Sequence, residues 1–187
     1  MCSSDLPDYE VRIWGNEDLK TTKWFNARHM MEMAKHELCG VADMMRYEIL
    51  YNEGGITLDA DSVCLSPLED WLLKPKAFAH WEQEHRRTGL INVSVMGSEK
   101  NNEFYGQCIE DIKKKETVVD KRAWETTGPM HITEVYFRTE YPLTVYPSHY
   151  FTKKHFSGYE YLGEGHCFAT QFWGSTTGYE RQEEWKI

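Results

Sequence analysis

Long apolar runs are missing from this chain of 187 residues. No stretch nears the ~18 consecutive apolar residues a membrane helix needs, so no transmembrane segment is expected. Cysteine is sparse and unpatterned. Cys2, Cys39, Cys64, Cys108 and Cys167 are odd in number and form no C-x-x-C pair, which argues against a zinc site or a disulfide framework and for a reducing, cytoplasmic setting. The first residues hold no basic region followed by an apolar stretch, so no signal peptide is read. Cations are in deficit: 21 Lys and Arg stand against 30 Asp and Glu, a formal charge of -9. Such a field repels nucleic-acid backbones and anionic lipid, so no nucleic-acid partner is expected, and an anionic small substrate would need a local cation to enter. Low-complexity linkers and internal repeats are also absent. With 41% apolar and 27% charged residues, the chain reads as one globular domain over residues 1–187.

Tyr9 to Trp14 alternates apolar and polar residues up to Gly15-Asn16 and predicts a short strand and turn. Thr22 offers a cap for a helix to about Leu38, with Trp24, Met31, Ala34 and Leu38 on its apolar stripe and Gly40 as its break. A second helix is expected from Val41 to Asn52, stopped by Gly54-Gly55. Ile56 to Leu58 then reads as a strand running into Asp59-Ala60-Asp61, and Ser66 to Leu73 as a short helix opened by Pro67. Strands are expected at Ala77–Trp81 and Leu90–Met96. Helices are expected over Asn102–Lys115, with Phe104, Cys108, Ile109 and Ile112 inward, and from Thr127-Gly128-Pro129 to Arg138. Leu143–Tyr146 and Cys167–Trp173 read as extended. Strands alternating with helices predict an α/β domain with a mixed, mostly parallel sheet.

The residues that bear chemistry concentrate in Val41–Asp61. On a helix, Asp43, Arg46, Tyr47 and Leu50 share one face, which mounts a carboxylate beside a guanidinium. After the paired glycines, two carboxylates separated by one residue stand where ligands gather in α/β sheets, at the carboxyl end of a strand. An extended Asp59-Ala60-Asp61 would point both side chains the same way, toward one ion. Oxygen ligands in an open site suit Mg²⁺ or Mn²⁺. Charge supports the ion. At ~4 Å and an effective dielectric near 20, a diphosphate is repelled by an aspartate by roughly 4 kcal/mol per pair of unit charges, and a divalent cation reverses the sign.

The pattern Ala42-Asp43-x-x-Arg46-Tyr47-x-x-Leu50-Tyr51-x-x-Gly54-Gly55-x-x-x-Asp59-x-Asp61 resembles the glycosyltransferases with a D-x-D sugar-binding region. That group includes yeast-type initiating α-1,6-mannosyltransferases, bacterial capsular polysaccharide transferases and, distantly, the large clostridial glucosylating toxins. Tyr9–Trp14, Pro67-Leu68, Ile91 to Ser98 and Thr127-Gly128-Pro129 extend the likeness. The resemblance implies a GT-A, Rossmann-like fold and retaining transfer of a sugar from a UDP- or GDP-sugar to a carbohydrate acceptor. By the same likeness Asp43, Arg46 and Tyr47 would meet the donor. Asp59 would bind sugar or ribose hydroxyls and a metal-bound water, and Asp61 the metal directly. Asn92 and Gly128 would lie near the sugar and acceptor. The metal and Arg46 would stabilise the leaving diphosphate without a protein nucleophile.

Two departures from the family pattern stand out. Its first strand should precede Pro7 and is not here, and Met1–Leu6 matches the translation of a common library adapter, so N-terminal truncation is expected, with any membrane association residing in what is missing. A "HxWxxSW"-like stretch corresponds here to Gln171-Phe172-Trp173-Gly174-Ser175-Thr176, where Gln171, Trp173 and Ser175 would close over the donor.

Other residues carry simpler readings. His29, His36, His80 and His85 lack metal spacing and read as surface or packing residues, with His166 set apart by its place near the C-terminal stretch. Lys113-Lys114-Lys115 suits a helix C-terminus. Trp81, Trp124 and Tyr105 could stack on an acceptor sugar or serve the core. Two rival functions share the motif. One is a haloacid-dehalogenase-type phosphatase using Asp59 as nucleophile and Asp61 as acid, for which no later acidic pair of the form G-D-x-x-x-D exists; the other is a non-catalytic sugar-binding module.

Overall fold

The computed structural model describes residues 9–177. Three helices open it: α1 (Asn16–Thr21), α2 (Ala27–Met33) and α3 (Leu38–Asn52). Strand β1 (Gly55–Leu58) leads through the Asp59–Asp61 turn to β2 (Ser62–Cys64), and a 3₁₀ turn covers Asp70–Leu73. A hairpin of β3 (Ala77–Gln83) and β4 (Arg87–Ser98) precedes α4 (Glu103–Lys113), α5 (Ala123–Thr126) and α6 (Pro129–Thr139). Strand β5 (Thr144–Tyr146), a second 3₁₀ turn, β6 (Ala169–Gln171) and α7 (Gly174–Thr177) complete the described chain.

The main sheet has the order β1-β4-β3-β5, and β2 pairs with β6 in a separate antiparallel ribbon. The α/β class agrees with the sequence, but the strand directions correct it. Among the described residues only β3 and β5 run parallel; β1–β4 and β3–β4 are antiparallel. The reason is connection length. A parallel neighbour needs a crossover of a dozen or more residues, whereas only the short turn at residues 84–86 separates β3 from β4.

The sheet divides the core. On one face Ala77, Ala79, Ile91, Val93 and Met96 pack against Met44, Tyr47 and Leu50 of α3, Tyr105, Ile109 and Ile112 of α4 and Ile132 of α6. On the other, Phe78 and Val95 join Leu72, Tyr146, Phe151 and Phe168. A bulge lets Val93 and Val95 serve opposite layers: Phe78 pairs with Gly97 but His80 pairs with Asn92, so β4 carries extra residues between them. Asn92 staples this bulge by accepting the Ser94 N–H at 2.6 Å.

Several expectations at the N-terminal end are corrected. Tyr9–Trp14 is not a strand; Val11 and Ile13 face solvent, and no strand edge pairs with them among the described residues. The helix expected to reach Leu38 is the shorter α2, whose start is fixed from outside when buried Glu48 accepts the N–H groups of Phe25 and Asn26. Its inward residues are Met30 and Met33, while Met31 and Leu38 are exposed. Gly40 does not end a helix but sits inside α3, where a Cβ would lie 2.8 Å from Ala123 Cβ and 2.9 Å from both Met33 Cγ and Thr127 Oγ1. Gly there serves close packing between helices. The expected stop at Gly54-Gly55 agrees with the structure: both adopt the left-handed conformation, with φ of 73° and 87°, and turn the chain from α3 into β1. No helix among the described residues is long and apolar enough to cross a membrane.

Gly97 lies beneath the Phe78 ring, and a Cβ there would fall 2.4 Å from Phe78 Cζ. Gly97→Ala should therefore cost about 1–3 kcal/mol of stability through overpacking, read as a lower urea midpoint at unchanged slope. An unchanged midpoint would show that the second core layer is loose.

Candidate functional site

Four chain segments meet at the acidic turn. α3 supplies Asp43 and Arg46 one turn apart, and Arg46 Nη1 donates to Asp43 Oδ1 at 2.7 Å. Arg46 Nη2 donates to Asp59 Oδ1. One guanidinium thus bridges the helix and the turn. The Asp59 N–H donates to the Ser94 carbonyl at 2.9 Å, so the β4 bulge stapled by Asn92 fixes the start of the turn. Asp59-Ala60-Asp61 is a tight turn closed by Ser62 N–H donating to Asp59 O at 3.0 Å, not the extended segment expected from the motif.

The C-terminal strand locks the other end. Phe172 N–H donates to Asp61 O at 3.1 Å and Gly174 N–H donates to Asp61 Oδ2 at 2.8 Å. Trp173 makes this approach possible by adopting φ 58°, a left-handed backbone that costs a non-glycine residue of order 1–3 kcal/mol. Its side chain is tied down in return. The indole N–H donates to Lys154 O at 3.0 Å, and the ring packs on His155 and Phe156.

Among the proposed donor contacts, Asp43, Arg46, Asp59 and Asp61 come together, and Gly128 joins them: a Cβ there would lie 2.7 Å from Asp43 Oδ2, so only glycine fits. Tyr47 does not join them. It is fully buried between Tyr105 and His131, with its hydroxyl 3.4 Å from Gly128 O. Asn92 is buried in the bulge and orders backbone. Gln171 is used internally, since its Oε1 accepts from Ser62 Oγ at 2.7 Å and its Nε2 donates to Phe151 O at 3.1 Å. Trp173 likewise gives its N–H to backbone rather than to an open site. Ser175 belongs to α7, and its side chain lies outside the described residues. His166 sits apart, 3.2 Å from Glu69 and against Phe168. Sequence reasoning missed Gly174 because a backbone N–H leaves no trace in residue type.

Electrostatics make the cluster tense. Burial pushes Asp43 up to about 7 despite the pull of Arg46, and the Asp59 charge adds to the rise. Burial also raises Asp59, with Arg46 opposing and Asp61 reinforcing. For Arg46, burial works against the charge, but Asp59 and Asp43 outweigh it and hold the guanidinium protonated. His80 and His131 are pushed down to about 4, chiefly by burial, and stay neutral near pH 7. Both are packing residues, His80 between Ser94 Oγ and Trp81 O and His131 against Cys108 O.

Oxygen donors dominate the turn. No group of three or more His, Cys, Asp or Glu poised around one point occurs among the described residues. This donor set still fits Mg²⁺ or Mn²⁺, which bind through one or two carboxylates and fill their remaining positions with water and substrate phosphates.

The family model described as "Glycosyltransferase sugar-binding region containing DXD motif" matches residues 1–78, through α3, β1 and the acidic turn. The match takes in less than half of the chain. The chain is 31% identical over 118 residues to inositol phosphoceramide mannosyltransferase 3 of Schizosaccharomyces pombe, covering 60% of this chain and 31% of that protein. To inositol phosphoceramide mannosyltransferase 2 of the same organism it is 28% identical, covering 80% of this chain and 43% of the relative. "Subversion of eukaryotic traffic protein A" of Legionella pneumophila is 34% identical over 46% of this chain and 14% of its own length. The chain thus spans less than half the length of these relatives. The solved PaToxG glycosyltransferase shares the fold with a TM-score of 0.51 at 19% identity, over 67% of this chain and 44% of that one.

Two outcomes follow from the bridge. Arg46→Ala should destabilise the protein by about 3 kcal/mol, because buried Asp43 and half-buried Asp59 both lose their counter-charge; chemical unfolding measures it, and a loss under 1 kcal/mol would show Asp43 to be solvated. In the metal-free chain, Asp43 titrates higher folded than unfolded. The folded state holds the extra proton between about pH 4 and 7, so stability should fall as pH rises through that window and level off above it. Asp43→Asn should flatten the slope, and an equal slope in that variant would contradict the assignment.

Proposed function

We propose that this chain transfers a sugar from a nucleotide-diphosphate-sugar donor, a UDP- or GDP-sugar, to a carbohydrate acceptor with retention of configuration, within one domain. The observation that carries the reading is the Asp61 carboxylate, aimed by the Gly174 N–H on a turn whose other aspartate is bridged to α3 by Arg46. The likeness to the D-x-D glycosyltransferase family model and to the mannosyltransferases supports glycosyl transfer, and the donor set supports a divalent cation.

Asp61, with Asp59 beside it, would hold Mn²⁺ or Mg²⁺. Bound there, the cation supplies positive charge where the leaving diphosphate gains negative charge. Arg46 opposes the upward push of burial on Asp59 and holds its carboxyl group in place, which suits it to orient sugar or ribose hydroxyls. Gly128 lets the α5–α6 junction pack directly against the Asp43 carboxylate and so helps to fix it. No side chain is assigned as a nucleophile for glycosyl transfer: buried His80 and His131 are packing residues, and in retaining transfer from the leaving-group face the departing phosphate accepts the acceptor's proton. The phosphatase alternative finds no support, because Asp59 is tied to Arg46 and β1 pairs only antiparallel among the described residues.

Calorimetry with UDP- and GDP-sugars, with and without Mn²⁺, tests this. One donor should bind in a metal-dependent way, and Asp61→Asn should weaken it by roughly tenfold to a hundredfold or more. Undiminished binding by the variant would contradict the assignment, and sugar binding indifferent to chelator would favour a non-catalytic sugar-binding module.

A further inference from the structure

A second cluster of reactive side chains lies on the loop between the last 3₁₀ turn and β6, outside the acidic turn. The loop is drawn into a tight turn: the His155 N–H donates to Tyr159 O at 2.8 Å, the Gly158 N–H donates to His155 O at 2.9 Å, and Lys154 and Glu160 form an antiparallel bridge beneath it. Gly158 closes the turn with φ 86°, a left-handed backbone that suits glycine. Ser157, at the tip, is exposed. The imidazole two residues before it is buried against the rings of Phe156 and Trp173, whose centres lie 4.1 and 5.0 Å away.

Three side chains line up through that imidazole. Ser157 Oγ lies 2.8 Å from His155 Nδ1, and the Ser157 main-chain N–H also donates to Nδ1, at 3.2 Å. A main-chain N–H can only donate, so Nδ1 carries no proton and the neutral ring holds its proton on Nε2. Nε2 faces the buried Glu82 carboxylate, 3.4 Å from Oε1, and Arg87 Nη1 stands 3.5 Å from the same oxygen. The tautomer is therefore the one in which the serine hydroxyl meets a lone pair and the carboxylate meets an N–H. His155 and Glu82 are both buried, so the exposed end of the line is Ser157.

We propose that Ser157 is a nucleophile that takes an acyl group from an activated ester, with His155 as its base. The proposal is independent of the glycosyl-transfer reading. Ser157 Oγ attacks the ester carbonyl carbon while its proton passes to His155 Nδ1. The bond from that carbon to the leaving oxygen then breaks, the alcohol departs with the proton from Nδ1, and the acyl group stays on Ser157 until water releases it as the acid. Glu82 orients the ring and its charge steadies the imidazolium that forms, and Arg87 gives Glu82 a counter-charge. The Gly158 N–H is engaged by His155 O and assigns no donor to the developing oxyanion, so the acceleration rests on the base, roughly 10²–10⁴-fold. That restricts the substrate to esters with a good leaving group.

Reaction of the full chain with p-nitrophenyl acetate tests this, followed by p-nitrophenol release and by mapping acetyl groups on its peptides. The unsubstituted chain should release p-nitrophenol at least about tenfold faster than Ser157→Ala, the low end of what a positioned base contributes. Ser157→Thr, which keeps a hydroxyl, should retain part of the rate, and Glu82→Gln, which keeps the shape of the orienting group without its charge, should lose about tenfold. Acetyl should map to Ser157 as an ester that alkaline hydroxylamine removes. Equal rates in the unsubstituted chain and Ser157→Ala would overturn the proposal and reduce the serine–histidine contact to a turn hydrogen bond. Acetyl found only on Lys153 or Lys154, as an amide that resists hydroxylamine, would overturn it as well. A Glu82→Gln chain as fast as the unsubstituted one would overturn the assignment of Glu82.

Discussion

A single guanidinium joins the helical layer of this protein to its acidic turn. Arg46 rises from α3, reaches Asp43 one turn back on the same helix, and crosses to Asp59 at the end of β1. All three groups are largely withdrawn from water, where an unpaired charge would be costly. The arrangement is specific because neither carboxylate has another counter-ion of comparable closeness in the contacts described. It also leaves the centre with excess negative charge once Asp61 is counted. An acidic centre held open by one cation is suited to a second, exchangeable cation and to the anionic leaving group that comes with it.

Backbone geometry does as much as side-chain charge. The β4 bulge, stapled by Asn92, turns the Ser94 carbonyl toward the Asp59 N–H; the left-handed Trp173 turns the Gly174 N–H toward Asp61. The two ends of a short turn are thus fixed by different strands, one from the main sheet and one from the β2–β6 ribbon. Pre-positioning of this kind lowers the reorganisation needed when charge develops at a bound donor.

The helix-to-turn block was legible because its signals are local. Asp43 and Arg46 share a helix face, Gly54-Gly55 supplies the positive φ needed to leave the helix, and Asp59 and Asp61 follow an apolar strand. Strand direction was not legible from alternation alone, although the lack of a helix between Ala77–Trp81 and Leu90–Met96 required a hairpin. Glycine misled at Gly40, since the same residue that ends helices also lets two of them approach closely. Tyr47, Gln171 and Trp173 were drawn toward the donor by motif position. The structure uses their polar atoms on Gly128, on Ser62 and Phe151, and on Lys154. Gly174 and the β4 bulge act through backbone atoms, and the Glu82–His155 pair joins residues far apart in the chain; none of these leaves a short sequence pattern.

The central claim is that the turn between β1 and β2 holds a divalent ion while Arg46 remains bridged between Asp43 and Asp59. Anomalous diffraction from crystals grown with Mn²⁺ and a nucleoside diphosphate tests it most directly. The account predicts one manganese peak at coordination distance, about 2.0–2.2 Å, from Asp61 Oδ1, with diphosphate oxygens completing its shell and the Arg46 bridge intact. A manganese bound elsewhere, or an Arg46 swung away from Asp59 onto the phosphates, would contradict it.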